Sequence, residues 1–221
     1  MYVTAMRIVV ALLVVLVTAP GGLLAGAGAG PPGVSRVRTS RAQTIQDGAI
    51  LTGQLLVATD SLRDPRFVRT VIYMVRHDGS GAMGVVVNRP GPEVPVAPLL
   101  RQLGLDDQGV TSDVRLNYGG PVEPDRGLML HTVEYAIEGT ERIRDDVALT
   151  SRPGILADIA RGAGPHRYLF ALGYAGWGAG QLEAEIAGGY WITVSADPAI
   201  VFDDDATTKW DRATARRRVT I

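Results

Sequence analysis

Residues Gly173–Ile186 read GYAGWGAGQLEAEI, with four glycines around one tryptophan and then an amide and two of the carboxylates of a short acidic stretch. An indole wall with a few convergent polar groups is the usual make-up of a small-molecule cleft. A carboxylate held there would also serve as a general base. Gln181 and Glu185 are four apart and share one helix face, while Leu182 and Ile186 share the face that points to the core. Glu183 projects away from Glu185, so the two are not an acid/base pair. Glycines ahead of a helix also suggest a phosphate loop. However, no Lys-Ser/Thr pair follows, and from Gly176 the third glycine of a dinucleotide fingerprint falls on Gln181. The structural alternative is that Gly176, Gly178 and Gly180 turn the chain sharply out of a strand and under the Trp177 indole.

Other reactive residues are scattered. Ser80 lies in Asp78-Gly79-Ser80-Gly81, which is hairpin-turn chemistry and not a nucleophile elbow. His77, His131 and His166 have no metal-ligand spacing. His77 reads as the end of a strand, and His131 as a partly buried histidine. Asp203–Asp205 lacks the spacing and glycine of a calcium loop and is better placed heading the helix that follows. Cysteine is absent, which removes thiolate nucleophiles, disulfides and cysteine-based zinc sites. No metal and no cofactor is expected.

The elements that must position these groups follow from the patterning. Gly53–Ala58 is a short strand. Arg69–His77 and Ala82–Asn88 are β-branched runs around Asp78–Gly81, a hairpin. Val71–Val75 is apolar without alternation, as in a strand buried on both faces. Asn88–Pro98 is rich in proline and reads as loop. Ala97–Gly104 reads as a helix with a glycine cap. Strands follow at Asp113–Val122, Arg126–Val133 and Arg142–Thr150. Ser151–Gly162 reads as a helix with Ser151 as N-cap. Arg167–Gly176 is a strand, Gly180–Ala187 a helix and Tyr190–Ser195 a strand. Hairpins mixed irregularly with helices make this α+β: a mixed, largely antiparallel sheet with short helices packed around it.

At 221 residues and 46% hydrophobic, the chain is long enough for one domain with a substantial core. Its net charge of −1 offers no basic excess for a phosphate backbone, so no nucleic-acid partner is expected. Residues 1–29 differ in kind. Arg7 is their one charge, Ile8–Val17 is apolar, Pro20-Gly21-Gly22 breaks the run, and Ala25-Gly26-Ala27 and Ala27-Gly28-Ala29 fit a small-residue cleavage pattern. They read as a signal peptide; the alternatives are an uncleaved anchor and a miscalled start. Residues 30–48 read as a flexible linker and 49–221 as the single α+β domain.

Three blocks, "GQLLVATDSLRDPRFVRTVIYMVRHDGSGAMGVVVNRP", "YGGPVEPDRGLMLH" and "GYAGWGAGQLEAEI" with "YWIT" and "FDDDATTKW", resemble the YqgE/AlgH family in order and spacing. The match runs from about Gly53 to Trp210, and the Gly-Trp-x-x-Gly-Gln-Leu-Glu block is specific. The resemblance implies an α+β domain whose sheet bends into a pseudo-barrel. It implies no reaction, the family's name coming from an association with regulating alginate production. Carried over, the motif positions are Asn88, Arg89 and Pro90; Gly119, Gly120 and Pro121; and Trp177, Gly180, Gln181, Leu182 and Glu183. The chain departs from the usual pattern in its N-terminal segment, which many members lack, and in its end, ARRRVTI.

Asn88, Arg89, Gly119, Gly120, Trp177, Gln181, Glu183 and Glu185 are therefore the candidate binding cleft, or else a hydrogen-bonded network that holds loops together. The leading expectation is a non-enzymatic binding or regulatory domain, exported to the periplasm or secreted. Its partner would be a small molecule or protein, and membrane contact would come only through the N-terminal signal segment. Two alternatives stay open. One is a hydrolase-like enzyme with His131 or Glu185 as base. The other is a cytoplasmic, transcription-linked regulator, which requires a miscalled start.

Overall fold

The computed structural model describes residues 50–217; the signal-peptide and linker readings fall on residues outside that span. Strand β1 (Gln54–Ala58) leads to the hairpin β2 (Val71–Asp78) and β3 (Gly81–Val86). In its turn the Ser80 amide and hydroxyl both bond the Asp78 carboxylate. A proline-rich strand β4 (Pro90–Pro95) and helix α1 (Val96–Gln102) come next, then β5 (Asp113–Tyr118) and β6 (Val122–His131). The short strands β7 (Thr140–Arg142) and β8 (Ala148–Thr150) precede α2 (Gly154–Ala160). The long strand β9 (Tyr168–Gly178), α3 (Gln181–Ala187), β10 (Trp191–Ser195), α4 (Pro198–Val201) and α5 (Lys209–Ala215) complete the domain.

Ten strands form one curled sheet in the order β10-β1-β2-β3-β9-β6-β8-β7. Strand β5 joins β9 in parallel and carries β4 outside it. The fold is α+β with an antiparallel half-barrel and a few short helices. Strand β2 is buried on both faces, as its unbroken apolar run requires: Val71, Tyr73 and Val75 face one core, Ile72 and Met74 another. The first core lies inside the curl with Leu55, Leu128 and Leu130. The second lies outside it under α3, with Trp177, Leu182 and Trp191. A third, also outside, packs α1 and α2 against Leu116, Met129 and Phe170.

Three local readings are corrected. Residues 90–95 are a strand and not a loop; β4 borders only β5, and an edge strand tolerates prolines because they have no N–H to donate to a second neighbour. In place of one strand over Arg142–Thr150 there are two short ones, Thr140–Arg142 and Ala148–Thr150, that pair with each other. Helix α2 begins after Pro153, not at Ser151, and no side chain caps it.

Strand β9 organises the rest. Its first half pairs β6 on one side and β5 on the other; its second half pairs β3. Ala171 faces the inner core and Phe170 the outer, yet Ala175 and Trp177 face outward, so the alternation slips by one residue between the halves. The slip falls at Gly173, whose φ of 72° suits glycine. Without it Trp177 would point into the curl.

Candidate functional site

Under α3 the acidic stretch is fully used. One Glu185 carboxylate oxygen accepts both indole N–H groups, from Trp177 at 3.0 Å and Trp191 at 2.8 Å. The other accepts the Gln181 amide at 2.9 Å, and Gln181 in turn accepts the Gly178 N–H. The i, i+4 spacing read from the sequence places this pair on one face, as expected. The two indoles meet edge to face with centroids 6.1 Å apart, and Trp177 is 8% exposed. Glu183 points elsewhere, to His77 Nε2 at 2.9 Å. Because the Leu51 N–H donates to His77 Nδ1, the proton sits on Nε2 and the ring donates to Glu183.

The expected sharp turn beneath Trp177 is not there. The chain stays extended through Gly178, with Trp177 paired to Ala82 in the sheet. Of Gly176, Gly178 and Gly180, only Gly180 is left-handed, with φ 73°. Gly176 has no positive φ, is exposed, and a Cβ on it would meet the Tyr174 ring at an ordinary 3.4 Å. The close approach lies instead where Gly119-Gly120 crosses Gly173. A Cβ would come within 2.2 Å of the Gly173 carbonyl from Gly119, 2.1 Å of the Tyr174 carbonyl carbon from Gly120, and 2.4 Å of the Gly120 carbonyl from Gly173. The Gly119 carbonyl also receives the Val86 N–H and its N–H reaches Leu172. Strands β3, β5 and β9 therefore meet backbone to backbone.

Asn88 and Arg89 form a third group. Asn88 accepts the Val71 N–H at 2.9 Å and donates to the Arg69 carbonyl at 2.8 Å, bracing a residue whose φ is 51°. Arg89 donates to the Val68 carbonyl and to Thr70 Oγ1. Asn88 lies six residues along from Ala82, the partner of Trp177, and the hydrogen bonds of Asn88 and Arg89 go to residues 68–71 and not to the group around the indole. The eight candidate residues thus occupy three places and hold secondary structure together at each.

His131 is wholly buried. Its Nδ1–H donates to the Thr132 carbonyl at 2.9 Å, and its Nε2 accepts from Thr150 Oγ1 at 2.8 Å. Burial lowers its pKa, which keeps the ring neutral. Among the described residues no three His, Asp or Glu side chains are arranged to hold a metal ion.

An open feature among the described residues is a groove of about 870 Å³ between β4–β5 and the α4–α5 segment. Arg115, Asn117, Tyr168, Asp204 and Lys209 are among its walls. Two wall cations are paired, Arg115 with Glu93 and Arg212 with Asp203. Arg167 lies over the Phe202 ring and makes no ion pair among the described residues. Lys209 is 1% exposed, and its ammonium donates to the Val87 carbonyl at 2.7 Å and to that of Val201 at 2.9 Å. Burial pulls its pKa down to about 8. Motif reading passed over Lys209, although a signal was there: it is the only lysine among 22 cationic residues.

A family model described as AlgH-like matches residues 55–221. The chain belongs to the AlgH-like family. It is 47% identical to a UPF0301 protein of Rhodospirillum rubrum over 166 residues, 75% of this chain and 86% of that one. A UPF0301 protein of Jannaschia is likewise 47% identical over 165 residues, covering 74% and 86%. Among solved structures, the solution structure of AlgH from Pseudomonas aeruginosa matches with a TM-score of 0.67 and 37% identity, covering 83% of this AlgH-like chain and 94% of that chain. A Corynebacterium diphtheriae protein, at TM-score 0.60 and 21% identity over 76% and 87%, shares the fold.

Proposed function

We propose that this AlgH-like protein is a binding or regulatory domain that works outside the cytoplasmic membrane and holds a small ligand without turning it over. The observation that carries the reading is the groove of about 870 Å³ beside Lys209, a size suited to a small molecule. It presents cations and carboxylates side by side, which fits small acids, including amino acids and oxo acids. Support for a non-enzymatic role comes from the other polar clusters. Glu185 and His131, the bases that the hydrolase-like alternative would use, are engaged in hydrogen bonds to tryptophans, threonine and backbone. Support for export comes from the apolar run Ile8–Val17 and the Ala-Gly-Ala steps after it.

The binding test is a titration of the full chain with a panel of small dicarboxylates, oxo acids and amino acids, read from amide chemical shifts. Saturable shifts at Asn117, Tyr168 and Asp204, with the ligand recovered unchanged, are expected. Chemical conversion of the ligand would overturn the non-enzymatic part, and silence of the groove across the panel would overturn the binding part. For location, the N-terminus of protein isolated from its host should begin near Gly28 or Gly30. Met1 on soluble cytosolic protein would refute export.

A further inference from the structure

We propose that Lys209 is an amine nucleophile that captures a small oxo acid in the groove as a reversible imine. The inference rests on the reading that the groove binds small ligands and adds the chemistry by which one class is held. Its starting point is geometric. A lysine ammonium carries three N–H donors. The Lys209 nitrogen has two acceptors among the described residues, the Val87 and Val201 carbonyls, and the residue, 1% exposed, lies in the groove wall. A neutral amine satisfies this site completely: two N–H bonds go to two carbonyls, and the remaining tetrahedral position is a lone pair. An ammonium would leave its third N–H buried without a protein acceptor, which is costly. The surroundings therefore raise the share of the neutral, nucleophilic form above that of an ordinary lysine, and desolvation is a known means of activating a lysine. Guanidinium cannot play this part, since it stays protonated. The chain uses arginine everywhere else and lysine only here.

The electrophile follows from what lines the same groove. Arg167 has its guanidinium over Phe202 and free of ion pairs among the described residues, and its charge bears on Lys209. It is placed to receive a carboxylate. Asp204 makes no side-chain hydrogen bond among the described residues, and its charge bears on Lys209, Tyr168 and Arg115 alike. Together they fit a carbonyl compound that carries an acid group. In the reaction the amine lone pair attacks the carbonyl carbon, forming a C–N bond as the C=O π pair moves onto oxygen. Asp204 carries one proton from the nitrogen to that oxygen, which gives the neutral carbinolamine. Asp204 then carries the second nitrogen proton to the hydroxyl, which leaves as water as the nitrogen lone pair forms the C=N bond. Hydrolysis reverses the sequence, so the ligand is held and released with no net conversion.

The test uses the full chain, glyoxylate as probe and cyanoborohydride to trap the imine at pH 7, with the adduct located by peptide mapping. The charged groups facing the amine are Asp203, Asp204, Arg212 and Arg167, and its pKa near 8 leaves far more free amine at pH 7 than an ordinary lysine has. Lys209 in the folded chain should carry the carboxymethyl adduct at about tenfold or more the rate seen in the urea-unfolded chain. Arg167→Gln should slow glyoxylate trapping severalfold more than it slows trapping of propanal, an uncharged aldehyde, because both reactions feel the loss of its charge beside the amine but only glyoxylate loses a carboxylate partner. Asp204→Asn should slow both. A folded-state rate below the unfolded one would overturn the nucleophile. Equal glyoxylate rates with and without Arg167 would overturn the oxo-acid class. Glyoxylate that shifts groove amides but leaves no adduct would refute the imine while sparing the groove, whereas a groove silent to the whole ligand panel would remove the binding reading beneath it.

Discussion

The cluster under α3 centres on the half-buried Glu185 and the groove beside α5 on the buried Lys209, and they differ in how completely the polar group is matched. Glu185 has two indole donors on one oxygen and an amide donor on the other, so each oxygen is engaged. Lys209 has two acceptors for up to three donors. A network in which each polar atom has a partner fixes one conformation and resists rearrangement. An incompletely matched group bordering a cavity retains capacity for a further partner. The motif that draws the eye in the sequence is thus the closed region, and the one with a single inconspicuous lysine is the open one.

The largest effect should come from the strand that joins the two. Gly173 supplies the slip that turns Trp177 outward while leaving Phe170 under α1 and α2. Gly173→Val combines a left-handed φ with a Cβ 2.4 Å from the Gly120 carbonyl. It should cost on the order of 5 kcal/mol, comparable with the whole stability of a marginal domain. Loss of the cooperative melting transition checks this; a variant that melts normally would mean that the bulge can move. Next comes Trp177→Ala, which removes a buried indole and strands one Glu185 hydrogen bond. About 3–5 kcal/mol should be lost in urea unfolding. Iodide should quench Trp177 little in the parent protein, and strong quenching would show the closed region to be open after all.

Much of this was legible in the sequence, for identifiable reasons. The β2–β3 hairpin, the double-sided burial of Val71–Val75 and the Gln181–Glu185 pairing are local, set by periods of two and four residues. The strand status of Pro90–Pro95 was not legible, since it depends on β5 lending one edge to an otherwise poor strand. The role of the glycines was misplaced for a similar reason. Gly176 and Gly173 look alike in the sequence, and only the crossing with Gly119-Gly120, some fifty residues earlier, separates them. The grouping of Asn88 and Arg89 with Trp177 followed motif membership. In space Asn88 and Arg89 brace the turn before β2. Lys209 escaped because its character depends on the Val87 carbonyl, 122 residues away.

The open region makes a pH prediction of intermediate size. The folded pKa of Lys209 is depressed to about 8 from an ordinary value of 10.5. Between those values the unfolded chain binds the proton and the folded chain does not, so stability rises as pH rises across the window. The gain has a ceiling of about 3 kcal/mol at pH 10.5 relative to pH 8 or below. Urea titrations of the parent and of Lys209→Met should diverge there, the parent gaining relative to the variant. Parallel curves would mean that the lysine stays charged in the fold, which would also weaken its reading as a nucleophile.

The smallest effect is the most discriminating about the glycines. If the stretch around Trp177 needed glycine to pass beneath the indole, Gly176→Ala would strain the backbone or crowd the ring. In the structure Gly176 is an extended residue of β9 opposite Met83, it is exposed, and the new methyl group would touch only the Tyr174 ring and Val122 at normal contact distances. Removing glycine from a position whose conformation alanine can adopt reduces the freedom of the unfolded chain and stabilises by about 0.4–1 kcal/mol. A slightly raised melting temperature is therefore expected for Gly176→Ala. A loss of 2 kcal/mol or more would restore the tight passage under the indole and shift the critical glycine from Gly173 back to the closed region. The contrast is sharpest when Gly176→Ala and Gly173→Ala are melted side by side, because the same methyl group is added three residues apart on one strand.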